Sequence, residues 1–231
     1  MCTDDSASST TPAAAAAARP RRASAPGPFV VGLVGPAGAG KSTVAAAFAR
    51  TGARVLNGDT LGHEVTDTDP DVRAALAAEY GADVYRADGT LDRRRVAARV
   101  FADPAALARL NQLVHPRILA RMRAAVAQAE RDGFTGVLLI DAALLLDWGF
   151  ERECDAIVAV LAPEERLVER LVATRGWSAA EARQRLSAAR RADSFRALAD
   201  VTVMNDGSAE QAADAALRAV ADLRAARAGA A

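Results

Sequence analysis

Gly35-Pro36-Ala37-Gly38-Ala39-Gly40-Lys41-Ser42 decides how this chain is read. The octamer fits G-x-x-x-x-G-K-[ST], the phosphate-binding loop, and its surroundings are those the motif requires. Before it, Phe29-Val30-Val31-Gly32-Leu33-Val34 is an apolar run that predicts a buried strand. After it, Thr43-Val44-Ala45-Ala46-Ala47-Phe48-Ala49-Arg50 predicts a helix. Glycines let a backbone curl so that successive N–H groups point inward at phosphate oxygens, and the helix N-terminus adds positive potential. In such a loop the amides of Ala37, Gly38, Ala39, Gly40, Lys41, Ser42 and Thr43 form the cradle. Lys41 reaches the outer phosphates of a nucleotide, and the Ser42 hydroxyl sits on Mg²⁺.

Lys41 is also the one lysine in the chain; every other basic side chain, histidine apart, is arginine. A compact ammonium thus stands only where phosphate chemistry asks for one. The same fact removes the GTPases, whose guanine-reading Asn-Lys-x-Asp needs a second lysine. With 231 residues the chain has room for one α/β core with a small lid or insert. Its net charge of zero gives no reason to expect a nucleic-acid partner. No apolar run approaches the roughly 20 residues of a membrane span. Cys2 and Cys154 are far apart and make no disulfide framework, which fits a cytoplasmic protein. Residues 1–28 are rich in Ser, Thr, Ala and Pro and predict a disordered tail, and 29–231 predict one folded domain.

Onward from the loop helix, Gly52 is a natural C-cap and Arg54-Val55-Leu56-Asn57 a short second strand. It runs into Gly58-Asp59, at the carboxyl edge where α/β proteins place ligands. Asp59 is either a proton acceptor for an attacking hydroxyl or the N-cap of a helix beginning near Thr60. Asp69-Pro70 opens a helix that stops at Gly81, Asp88-Gly89 is a turn, and Asp92 and Asp103-Pro104 start two more. His115-Pro116 predicts a break, with Pro116 restarting a helix that ends at Gly133. So much helix between two strands reads as a substrate-side insert, about residues 60–133. His115 lacks the partners in sequence that a zinc site would need.

Val137-Leu138-Leu139-Ile140-Asp141 is a third strand ending in an acid, the pattern whose aspartate helps hold Mg²⁺. In the loop after it, Leu144 and Leu145 either line an acceptor pocket or are plain core. Asp155 to Val160 is the fourth strand and Val201 to Met204 the fifth. Asn205 opens the loop beyond it, a place that often borders the base of a bound nucleotide. Between these last strands, two arginine-dense helices over about 164–195 read as a lid. A lid closing over the nucleotide would bring a guanidinium, Arg170 above all and less firmly Arg175 or Arg185, to the transferring phosphate. Ion pairing with Glu165, Glu169 and Glu181 at helical spacing is the alternative use for most of these arginines.

Taken together, the motifs resemble the dephospho-coenzyme A kinase family. They are the phosphate loop, Asn57-Gly58-Asp59, Asp88-Gly89-Thr90-Leu91-Asp92-Arg93, Leu110-Asn111-Gln112-Leu113-Val114-His115-Pro116, Leu144-Leu145-Leu146-Asp147 and Asn205-Asp206-Gly207. The resemblance implies a P-loop kinase fold: a five-stranded parallel sheet with flanking helices, a helical substrate-binding insert and a helical lid. It implies transfer of the γ-phosphate of ATP, with Mg²⁺, to the ribose 3′-hydroxyl of dephospho-coenzyme A. On it, Lys41, Asp59 and Arg170 are catalytic, Ser42 and Asp141 serve the metal, and Asp59, His115 and Leu144 face the acceptor, in a monomer or small homo-oligomer. The chain departs from the family pattern at Val34, Asn57, Ala143, Asp147 and Ala189. Another P-loop kinase acting on a nucleoside, nucleotide or small alcohol, or a non-catalytic ATP-binding regulator, are the alternatives. Replacing the lone ammonium tests the phosphate site common to all of them. Lys41→Ala is expected to abolish phosphoryl transfer in a coupled ADP-release assay, and a rate within a few-fold of wild type would contradict the assignment.

Overall fold

The computed structural model describes residues 10–12, 27–100, 103–188 and 192–229. In chain order the strands are β1 (Thr10–Pro12), β2 (Phe29–Val34), β3 (Arg54–Asn57), β4 (Val137–Asp141), β5 (Ala156–Leu161) and β6 (Val201–Met204). The helices are α1 (Lys41–Arg50), α2 (Gly58–Thr68), α3 (Pro70–Tyr80), α4 (Arg93–Val100), α5 (Pro104–Arg131), α6 (Glu164–Arg175), α7 (Ala179–Ala188), α8 (Ala192–Leu198) and α9 (Ala209–Ala228). The chain divides into two compact units. One is Asn57–Ala127, and the other is everything on either side of it.

In the larger unit the sheet order is β1-β6-β5-β2-β4-β3. β2 pairs in parallel with both β4 and β5, and β5 with β6. The five parallel strands are those the sequence predicts. β1 is an addition, antiparallel to β6 with Thr10 opposite Val203, in a stretch whose composition predicts no strand. The rest of that expected tail, residues 1–9 and 13–26, lies outside the described residues.

Strand alternation sorts β2 onto two faces. Phe29, Val31 and Leu33 point into one cluster with Val44 and Phe48 of α1, Val158 and Val160 of β5, and Ala212, Ala216 and Val220 of α9. Burial of such side chains contributes about 1.5–3 kcal/mol each. On the other face, Gly32 packs under Ile157, Leu145 and Cys154. Leu145 is therefore core, whereas Leu144 next to it is 39% exposed.

Two buried acids, Asp155 and Asp200, fix the register of the central strands. Asp155 Oδ2 accepts from Val30 N–H at 2.8 Å, and its Oδ1 accepts from Arg227 Nη1 at 2.7 Å, tying α9 to the sheet. Asp200 Oδ2 accepts from Ile157 N–H at 2.7 Å. Each carboxylate sits just before a strand and takes up an edge amide of the neighbouring strand.

The smaller unit is helical. Asp69 caps α3 by accepting from Val72 N–H at 3.1 Å, with Pro70 in the first turn. Asp67 of α2 holds the end of the α3–α4 loop: it accepts from Leu91 N–H at 2.8 Å and from Arg93 Nη2 at 2.9 Å. Burial alone would raise the Asp67 pKa, but these two partners hold it below the ordinary carboxylate value. One open alternative and one expectation fail here. The N-cap of α2 is Asn57, whose Oδ1 accepts from Thr60 N–H at 3.0 Å, so Asp59 is not the cap. And His115-Pro116 breaks nothing: α5 runs through Pro116 for 28 residues. The proline removes one backbone donor, while one turn along Arg117 Nη1 donates to the Leu113 carbonyl at 2.9 Å. Long apolar flanks, with Val114, Ile118 and Met122 buried, outweigh one lost hydrogen bond.

Removing the Asp155 carboxylate would orphan the buried Val30 amide and take its ion-pair partner from the largely buried Arg227 guanidinium. Asp155→Ala is expected to cost about 2–4 kcal/mol of stability in urea unfolding; a loss under about 0.5 kcal/mol would show that the register does not depend on it.

Candidate phosphate-binding site

The loop leaves β2 at its carboxyl end and curls through three glycines with positive φ: Gly35 at 143°, Gly38 at 81° and Gly40 at 95°. Two of these positions also lack room for any side chain. A Cβ on Gly35 would lie 2.1 Å from the Val160 carbonyl oxygen, and one on Gly40 would lie 2.3 Å from Asn205 Nδ2. The curl is thus pressed against β5 on one side and the end of β6 on the other. Ala39 N–H bonds back to Pro36 O at 3.3 Å, and Thr43 and Val44 N–H both reach Gly40 O, at 3.1 and 3.3 Å, which starts α1. Helix α1 thus begins at Lys41, two residues earlier than the sequence predicts.

Lys41 folds back over this curl. Its Nζ donates to Gly35 O at 2.9 Å and to Pro36 O at 3.1 Å. Both of these acceptors are neutral carbonyls, whose place a phosphate oxygen can take. Ser42 is exposed at the first turn of α1, Ala37 is exposed at the tip, and Ala39 is buried.

Asp141 ends β4 directly opposite Leu33 of β2, two residues before the curl begins. An acid is thereby set beside the root of the loop. Ser42 and Asp141 are both oxygen donors. Among the described residues no group of three His, Cys, Asp or Glu side chains could hold a metal alone. That donor set suits Mg²⁺ arriving with a nucleotide, since Mg²⁺ usually takes one or two protein oxygens and completes its shell with phosphate and water.

Arg170 of α6 reaches the same place. Its Nη1 donates to Gly38 O at 3.4 Å, and its Nη2 donates to the backbone oxygen and Oδ1 of Asn205, both at 3.2 Å. No carboxylate lies within ion-pair distance of it among the described residues. The neighbouring arginines are used otherwise. Arg166 pairs with Glu169 at 3.1 Å, and Arg185 stacks on the Trp177 ring at 4.3 Å. Arg175 is exposed at the last turn of α6. Helix α6 is anchored rather than loose, with Leu167 in the main core and Val168 and Leu171 packed on Ala182 of α7. Ala189, and Arg190 and Arg191 of the arginine-dense segment, lie outside the described residues.

Asn205 is 1% exposed. Its N–H donates to Leu161 O at 2.7 Å, its Nδ2 donates to Ala39 O at 2.8 Å, and its Oδ1 accepts from Arg170. At the position expected to border a nucleotide base, both ends of the side-chain amide meet protein. The Asn205-Asp206-Gly207 string signals only a turn, so this contact with the loop was not readable from local sequence.

In the smaller unit, Asp59 is exposed in the first turn of α2. His115 lies in α5 with its pKa pushed below the ordinary value by burial, so it is a neutral imidazole near pH 7. Leu144, in the larger unit, follows β4 and Asp141 and keeps an exposed side chain.

A glycine curl between a central strand and a helix, the sole lysine above it, an acid on the adjacent strand and an unpaired-by-acid arginine beside it define a P-loop phosphotransferase of the kinase type. The comparisons name the particular family. The family model for dephospho-CoA kinase matches residues 29–211. A dephospho-CoA kinase of Anaeromyxobacter dehalogenans is 40% identical over 198 residues, covering 86% of this chain and 93% of that relative. One of Mycolicibacterium paratuberculosis is 39% identical over 178 residues, 77% of this chain, which spans only 43% of that longer relative. A solved structure from Thermus thermophilus superposes with a TM-score of 0.71 at 30% identity, over 85% of this chain and 97% of its own. The chain belongs to the dephospho-CoA kinase family.

The tightness of the curl yields a direct test. Gly40→Ala forces a positive-φ alanine against the Asn205 amide, and ATP affinity measured by calorimetry is expected to fall at least tenfold with the fold retained by circular dichroism. Unchanged affinity would mean that the curl is not the nucleotide site.

Proposed function

We propose that this chain transfers the γ-phosphate of ATP to the ribose 3′-hydroxyl of dephospho-coenzyme A. The products are coenzyme A and ADP, in the last step of coenzyme A biosynthesis, a cytoplasmic reaction. The observation that carries the reading is the folded phosphate curl under the only lysine of the chain, in a member of this family. The amides of Ala37 to Thr43 would grip the β- and γ-phosphates, with Lys41 spreading its charge over the oxygens that gain charge in the transition state. Ser42 and Asp141 would hold Mg²⁺, which would supply positive charge to screen the phosphate oxygens. Arg170, already beside the loop and not neutralised by an acid, would exchange its backbone acceptors for the transferring phosphate.

On the acceptor side, Asp59 would take the proton of the attacking hydroxyl. The capping work of α2 falls to Asn57, which supports this reading by leaving the Asp59 carboxylate out of the cap. His115, neutral through burial, would give the acceptor a hydrogen bond rather than a charge. Leu144 would offer it an apolar contact.

Two measurements test the reading. ADP release is compared with dephospho-coenzyme A and with a panel of nucleoside monophosphates and small alcohols as acceptors. Turnover with dephospho-coenzyme A alone is expected, and turnover only with another acceptor would overturn the substrate. Asp59→Asn is expected to lower kcat about a hundredfold or more while ATP affinity stays within about threefold, the range for a lost general base. Loss of ATP affinity instead would move Asp59 to the nucleotide.

A further inference from the structure

We infer that Asn205 is a positioning residue that couples the phosphate curl to Arg170, and that it does not read the nucleotide base. The inference deepens the kinase reading and rests on it for the role of Arg170. Three observations converge on the side chain. It is almost completely buried, so its amide is held in one place by its surroundings. Its Nδ2 donates to Ala39 O inside the curl, and the same nitrogen fills the space that a Cβ on Gly40 would take. Its Oδ1, together with its backbone oxygen, accepts from Arg170 Nη2. One planar group therefore touches the loop with its donor end and α6 with its acceptor end. Its own backbone N–H is fixed to Leu161 at the end of β5.

The chemistry of an amide suits this place. A carboxylate of the same shape would present oxygen to the Ala39 carbonyl and repel it, and would neutralise Arg170 by ion pairing. An aliphatic side chain would leave the Ala39 carbonyl short of its donor and remove one of the two acceptors of Arg170 Nη2. Only a neutral side chain with both a donor and an acceptor holds the curl and Arg170 together while keeping the arginine charge available to phosphate. Engagement of one end is thereby linked to the other. Movement of Arg170 toward a phosphate releases Oδ1, and a shift of the curl around a bound nucleotide is felt at Arg170. The three Arg170 bonds, at 3.2 to 3.4 Å, lie at or just beyond the long end of the ordinary N–H···O range.

A double-mutant cycle tests the coupling. Wild type, Asn205→Ala, Arg170→Ala and the double variant are compared for kcat with dephospho-coenzyme A and, separately, for the Kd of ATP by calorimetry. Asn205→Ala is expected to lower kcat about ten- to a hundredfold, and by less than about threefold once Arg170 is already alanine. The ratio of kcat/KM for ATP over GTP should stay within about twofold. Additive losses, or a change in purine preference, would overturn the inference and return Asn205 to the base. Asn205→Asp preserves the shape where Asn205→Ala endangers folding. It is expected to lose at least as much kcat as the alanine variant with its thermal midpoint within a few degrees of wild type, and wild-type kcat for it would equally overturn the inference. If wild type itself shows no transfer to dephospho-coenzyme A, the kinase reading fails. The ATP-affinity arm of the cycle still decides the coupling: a loss on Asn205→Ala that shrinks in the Arg170→Ala background supports it, and equal losses in both backgrounds refute it.

Discussion

Everything at the nucleotide end of this molecule depends on a backbone that turns back on itself at the carboxyl end of the central strand. L-residues resist positive φ, and the curl needs it three times within six residues, at Gly35, Gly38 and Gly40. Such a conformation persists only when its surroundings over-determine it. Here they do so on two sides: the Val160 carbonyl stands where a Gly35 side chain would be, and the Asn205 amide where a Gly40 side chain would be. β5 and β6 are thus part of the phosphate site although neither supplies a residue to the motif. The registers held by Asp155 and Asp200 reach the site through the same strands.

Charge is allocated as narrowly as space. The only lysine lies on the carbonyls of its own loop, and the arginine nearest to that loop meets neutral oxygens alone. Arg166 is paired with an acid and Arg185 is stacked on a tryptophan. Lys41 and Arg170 thus both rest on carbonyls of the curl, a concentration of positive charge that suits phosphate. Surface ion pairs such as Arg166–Glu169 contribute little to stability.

How much of this is legible without a structure depends on how local the signal is. The strand-loop-helix around Gly35 to Ser42 is readable because each residue type does its own work there. The five parallel strands follow from their apolar runs, three of which are closed by Asn57, Asp141 and Asn205. Caps made by neighbours, such as Asp69 on Val72 and Ser208 on Gln211, are equally plain. What escapes is decided by partners far away in sequence. Asn57 outcompetes Asp59 for the cap because a helix starts two residues earlier than Thr60. Pro116 is carried inside α5 by buried side chains before and after it. The pairing of β1 with β6 involves a segment whose composition carries no strand signal. The role of Asn205 depends on Ala39, 166 positions earlier, and no motif spans that interval.

The claim at the centre is that the curl is a preformed phosphate cradle, and backbone amide NMR addresses it residue by residue. On titration with ATP and magnesium, the account predicts that the largest ¹H and ¹⁵N shifts fall on the amides of Gly38 to Thr43, with the rest of β2 and α1 little changed. Shifts centred elsewhere, with those amides unmoved at saturating ATP, would contradict it.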